Sequence, residues 1–109
     1  MGTVVVSDLG RFNDKIAFVR TESGEQGFLL VHVQTLSWSD GTATTGVDFS
    51  LVLRNRSGVW SFSDRADPDD ADAPAELASG RVDWYGRVLR VERWLEGAEA
   101  TAVFSEHFA

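Results

Sequence analysis

The chain has 109 residues, 17 acidic and 10 Lys plus Arg side chains, a formal net charge of −7 and no cysteine. A chain of this length buries roughly two-thirds of the surface it exposes when unfolded, so residues 1–109 make one domain with one core. The hydrophobic fraction of 43% excludes a disordered acidic tail, the charge argues against nucleic acid or an anionic membrane as partner, and the missing cysteines exclude disulfides, zinc–thiolate sites and thiol nucleophiles.

The first residues, MGTVVVSD, lack the basic start and long apolar stretch of a signal peptide, and no apolar run reaches the ~18 residues of a membrane span. The expected location is the cytoplasm. β-Branched and aromatic runs then alternate with Gly, Asn, Asp and Ser. They predict strands at 3–7, 11–21, 27–38, 42–54, 58–63, 77–85, 87–95 and 98–108. Turns at 22–25, 39–41 and 55–58 supply Gly and Asp where positive φ is cheap. Along 43–53 the odd positions are Ala43, Thr45, Val47, Phe49, Leu51 and Leu53, and the even ones are mostly polar. That is a period of two with one dry face. The run 27–38 is apolar on both parities at first, which predicts cover on both faces. Residues 65–76 hold both prolines, Pro68 and Pro74, and four aspartates, and read as the one long loop. Near the end, Ala100, Ala102, Phe104 and Phe108 alternate with polar residues, predicting a last strand. About eight sequential strands with short turns predict an all-β, up-and-down antiparallel barrel, which removes exposed edges. A two-sheet β-sandwich fits the same periodicity.

Few residues carry chemistry. The aspartates at 67, 69, 70 and 72 lack the distal glutamate of a calcium loop, where Ala78 stands. The two histidines, His32 and His107, have no second ligand at chelating spacing, so no metal site is expected. His107, near the C-terminus, is expected to be exposed. His32 lies among apolar neighbours, either as a hydrogen-bonded core histidine or as a polar group facing a barrel cavity. No nucleophile elbow, phosphate-cradling loop or paired-carboxylate motif is present. The aromatic mass stands out instead: Trp38, Trp60, Trp84, Trp94, one Tyr and seven Phe. Most of it serves packing, but four tryptophans also suit an apolar ligand pocket, with His32, Gln34, Arg90 and Glu92 to orient a ligand.

Three stretches together resemble one family. Residues 9–16 (LGRFNDKI) resemble the Gly-basic-Phe-acidic-Asp opening of the small β-barrel Diels–Alderases that form spirotetronate polyketides. Residues 27–41 resemble that family's strand ending in a Ser-Asp-Gly turn, here Ser39-Asp40-Gly41. Ser79-Gly80-Arg81, and Trp94 followed by Gly97, resemble its Ser-Gly-Arg strand and later Trp-containing strand. The family shares its barrel with allene oxide cyclases. The resemblance implies a cofactor-free, homodimeric barrel that catalyses an intramolecular [4+2] cycloaddition of a linear polyene by holding it in a reactive conformation. It assigns catalytic roles to His32, where the family has a cavity Tyr, and to Trp94, where the family has a cavity Trp. Leu30, Gln34, Trp38, Trp60, Trp84 and Arg90 complete the expected substrate contacts. The Tyr-to-His change keeps a donor but alters reach and pKa.

Two other classes fit the composition: a non-catalytic barrel that binds a hydrophobic small molecule, and an acidic protein-interaction module such as an immunity or inhibitor protein. A cyclase or carrier requires a Trp-lined internal cavity. An interaction module requires a filled core and an exposed recognition face.

Overall fold

The computed structural model describes residues 14–37, 39–67 and 73–109. Within them one antiparallel sheet of six strands runs in the order β4-β3-β2-β1-β6-β5. The strands are β1 (Lys15–Thr21), β2 (Gln26–Ser37), β3 (Ala43–Arg54), β4 (Trp60–Asp67), β5 (Arg81–Trp84) and β6 (Arg87–Trp94). Helix α1 (Ala73–Ser79) precedes β5, and α2 (Gly97–Val103) runs into a π-helical turn, Phe104–Phe108.

Alternation fixes the inner face. Ala17 and Val19 on β1, Leu29 and Val31 on β2, Val47, Phe49, Leu51 and Leu53 on β3, Val82 and Trp84 on β5 and Leu89 on β6 form one buried cluster, joined by Ala73 and Leu77 of α1. The odd positions of β3 from Val47 onward thus point inward, as the period of two predicts. On β6 the register against β1 shifts between Phe18 and Val19, which brings Trp94 opposite Ala17 and onto the inner side.

The sheet is curled into a half-barrel, so its two outermost strands meet through side chains. Trp84 Nε1 of β5 donates to Ser63 Oγ of β4 at 3.0 Å, and Tyr85 Oη donates to the Asp64 carbonyl at 2.8 Å. Tyr85 and Gly86 have φ of 53° and 92°. Two consecutive positive φ values are what a two-residue hairpin turn matched to strand twist requires. Arg65 of β4 donates to both Glu76 carboxylate oxygens on α1 and to the Asp83 carbonyl.

Three expectations are corrected. The expected strand at 98–108 is helical. Half of its alternating apolar residues are Ala, which fits either structure, while Ala and Glu favour helix intrinsically. The expected strand at 77–85 is the end of α1 followed by β5, parted at Gly80, whose φ is +73°. The expected loop at 65–76 begins as strand through Asp67 and ends as helix from Ala73. Six strands, not eight, are present among the described residues; the one expected at 3–7 lies outside them.

Candidate functional site

The inner face is filled. Phe49, Leu29, Leu51, Leu89, Val19, Val31, Val47 and Val82 are fully buried, and the Phe49 and Trp84 rings meet edge to face at 6.4 Å. The Arg65 guanidinium lies 5.1 Å from the Phe49 ring centre.

The structure divides the residues expected to form one site. Trp84 is buried on the inner face, and Trp94 packs half-buried against the same core. His32 lies on the outer face, because Leu29 and Val31 take the inward parity of β2. Its side chain is 50% exposed, with Nδ1 3.2 Å from Asp14 Oδ1, and it stands opposite Asp48 on β3. His32 and Trp94 therefore share no chamber. Leu30, Trp60 and Arg90 also fall on the outer face, Leu30 half-buried and the other two exposed. The Gln34 side chain and Trp38 lie outside the described residues.

The outer face has its own apolar row, which the sequence reading did not isolate. Phe18, Phe28, Val52 and Phe62 stand directly opposite one another across β1, β2, β3 and β4. Phe28 stacks on Trp60 with ring centres 6.1 Å apart and planes 14° apart. The C-terminal segment covers part of this row. His107 lies 4.5 Å from the Trp60 ring centre and 5.6 Å from that of Phe28, so it is half-buried rather than exposed. Arg93 of β6 anchors the same segment by two bonds to Glu99 on α2, at 2.6 and 2.8 Å. This pairing holds the Glu99 carboxyl below its ordinary value and raises Arg93. The signal for the row was present in the sequence: Phe28, Val52 and Phe62 are apolar at positions of the polar parity.

Among the described residues the row ends at an open sheet edge. Phe62 is 61% exposed, Val59 60% and Trp60 40%. The Asn55 N–H donates to the Val59 carbonyl at 3.0 Å, and pairing with β3 continues without a register shift. Alternation then turns the backbone N–H and C=O of Val59, Ser61 and Ser63 toward β3, and those of Trp60 and Phe62 outward. Most proteins blunt such an edge with Lys, Pro or a bulge. Residues 59–63 have none of these.

Among the described residues no group of three or more His, Asp or Glu side chains is placed to hold a metal, and no helix is long and apolar enough to cross a membrane. Comparisons with protein-family models, with curated proteins and with solved structures return no match.

Proposed function

We propose that this protein is an interaction module that receives an extended segment of a partner protein along the open edge of β4. The observation that carries this reading is the combination at Trp60 and Phe62: exposed aromatic side chains and outward-facing backbone groups on an edge strand that no other described strand pairs. Strand addition of this kind takes its affinity from main-chain hydrogen bonds and its specificity from alternate side chains. The net charge of −7, with Asp64 two residues beyond Phe62 on the same face, selects a basic segment with apolar residues at alternating positions. The packed inner face supports the same reading, since it leaves recognition to the outside. The test is an NMR titration with a peptide of alternating lysine and valine. Saturable shifts confined to the Trp60 and Phe62 amides and their neighbours, lost in Phe62→Lys, support the proposal. Absence of binding, or shifts elsewhere, overturns it. Concentration-dependent dimerisation through this edge would replace the partner by a second copy.

One observation favours a second reading, the homodimeric, cofactor-free [4+2] cyclase in a closed barrel. Trp94 packs against the inner-face core and is only partly buried, so its ring is partly open to a ligand. In that reading Trp94 walls the substrate site, while His32, on the other face, takes no part. Its test is mass-neutral isomerisation of a linear polyene that is lost in Trp94→Ala.

A further inference from the structure

Three strands away from the β4 edge, the outer face carries a row of arginines. Arg20 of β1 stands directly opposite Arg90 of β6, and Arg90 directly opposite Arg81 of β5. The Val91 N–H donates to the Gly80 carbonyl at 2.8 Å, which makes Arg90–Arg81 a non-hydrogen-bonded pair, the type with side chains closer together. Like charges directly opposite across a sheet are destabilising. This acidic protein nevertheless aligns three of its ten cationic side chains.

The carboxylates of the same region neutralise the row at one end only. Glu92 pairs with Arg20 at 3.2 Å. Asp83 accepts from the Gly86 N–H at 3.2 Å, and Glu22 lies in the β1–β2 turn. Arg90 and Arg81 have no carboxylate partner among the described residues. Arg20 and Arg90 line an open groove of about 340 Å³ with Thr21, Glu22, Val88 and Glu92.

We propose that Arg20, Arg90 and Arg81 form a binding row for a phosphate group. The guanidinium fork matches the oxygens of a tetrahedral oxyanion, and a doubly charged ligand relieves the repulsion between neighbouring arginines. The group is supplied either as free phosphate or as a phosphomonoester, and Val88 is the apolar contact available to the latter's carbon portion.

The experiment titrates the whole chain with inorganic phosphate, with phosphoserine and with sodium chloride at matched ionic strength, followed by amide and arginine side-chain NMR and by Tm. Saturable shifts at Arg20, Arg90 and Arg81 with either phosphate species, absent with chloride, support the proposal. The tighter of the two identifies the source. Arg90→Gln should weaken binding roughly tenfold, the equivalent of one lost charge-assisted hydrogen bond, while Arg56→Gln leaves it unchanged. Without phosphate, Arg90→Gln should keep or raise the Tm, because a repulsive neighbour is gone. Equal shifts with chloride, binding retained in Arg90→Gln, or a marked fall in its phosphate-free Tm would each overturn the assignment.

Discussion

Arg65 and Glu76 form a bidentate ion pair, Nη1–Oε2 at 3.0 Å and Nη2–Oε1 at 2.7 Å, that ties β4 to α1. Arg65 Nη1 also donates to the Asp83 carbonyl at 2.7 Å, and Glu76 Oε2 accepts the Asp83 N–H at 2.6 Å. The two residues thus join both outermost strands through one helix, where no backbone ladder joins them. Both side chains are nearly buried, 11% and 12% exposed. Removing one partner strands the other's charge. Arg65→Ala should therefore cost about 2–4 kcal/mol, approaching the range for a broken buried pair. Arg65→Lys should recover only part of this, because an ammonium cannot reproduce the fork. Urea denaturation checks both; a loss below about 0.5 kcal/mol, the size expected of an ordinary surface change, would remove the pair's role in joining the edges.

The alternation along β3 was legible because burial follows parity directly, whereas the cover expected on both faces of β2 holds only in part, with Phe28 and Leu30 half-buried and His32 exposed on the outer face. The seam was not. Arg65 and Glu76 are eleven residues apart across a Pro- and Asp-rich stretch, and nothing local indicates that they meet. The C-terminal helix was missed because alanines satisfy an alternating pattern as easily as a helical one. The division of His32 from Trp94 was partly legible: the parity of Leu29 and Val31 already turns His32 outward, but the register shift on β6 that turns Trp94 inward leaves no sequence signal. The family resemblance placed both in one cavity, and the strand geometry separates them.

Acid should weaken the Arg93 anchor of the C-terminal segment. Glu99 is held below its ordinary value of 4.5, chiefly by its hydrogen bonds from Arg93. A depressed carboxyl stabilises the docked state fully above the free value and loses that contribution as pH falls through the lower, docked value. Amide exchange in residues 97–108 should therefore accelerate below the ordinary Glu range while the β1–β2 amides stay protected. Glu99→Gln should show fast exchange already at neutral pH. Exchange in this segment that does not depend on pH after correction for the intrinsic rate would contradict the anchoring role.

Gly27 should tolerate no side chain. It pairs with Leu53 on β3, and a Cβ built there collides with the Val52 carbonyl oxygen and comes within 2.9 Å of the Leu53 Cα. Both are backbone atoms and cannot rotate away. Gly27→Ala should thus destabilise by about 1–3 kcal/mol, as overpacking does in tight cores. At about 4–8 °C per kcal/mol for a domain near this size, the fall in Tm is readily measured. An unchanged Tm would mean that β2 and β3 separate at Gly27 without cost.

Ser63 should matter through Trp84. The Ser63 hydroxyl accepts the indole N–H of the buried Trp84 at 3.0 Å. Ser63→Ala leaves that donor without its partner in a part-buried site, a loss of about 1–3 kcal/mol. Trp84→Phe in the Ser63→Ala background removes the orphaned donor. A double-mutant cycle should therefore show coupling of about 0.5–3 kcal/mol, as contacting residues do. Additive effects would show that the Trp84–Ser63 bond adds nothing to a seam held by Arg65 and Tyr85.

Phe62→Lys separates the edge from the fold. Phe62 is 61% exposed, at the outer end of the row from Phe18 through Phe28 and Val52. Its side chain contributes little to the core, so replacing it should change stability within about ±0.5 kcal/mol, as for most surface positions. Its backbone groups face outward, and a lysine there converts an adhesive edge into a protected one, since strand addition would then have to desolvate a charge. Affinity for the lysine–valine peptide should fall at least about tenfold, equivalent to 1.4 kcal/mol, and any self-association seen by sedimentation should fall with it. Val59→Lys should give a weaker version of the same loss, because the Val59 backbone bonds to β3 and only its side chain meets the newcomer. A Phe62→Lys variant that unfolds would place Phe62 in the core, contrary to its exposure. One that stays folded and binds as before would remove the β4 edge as the recognition site.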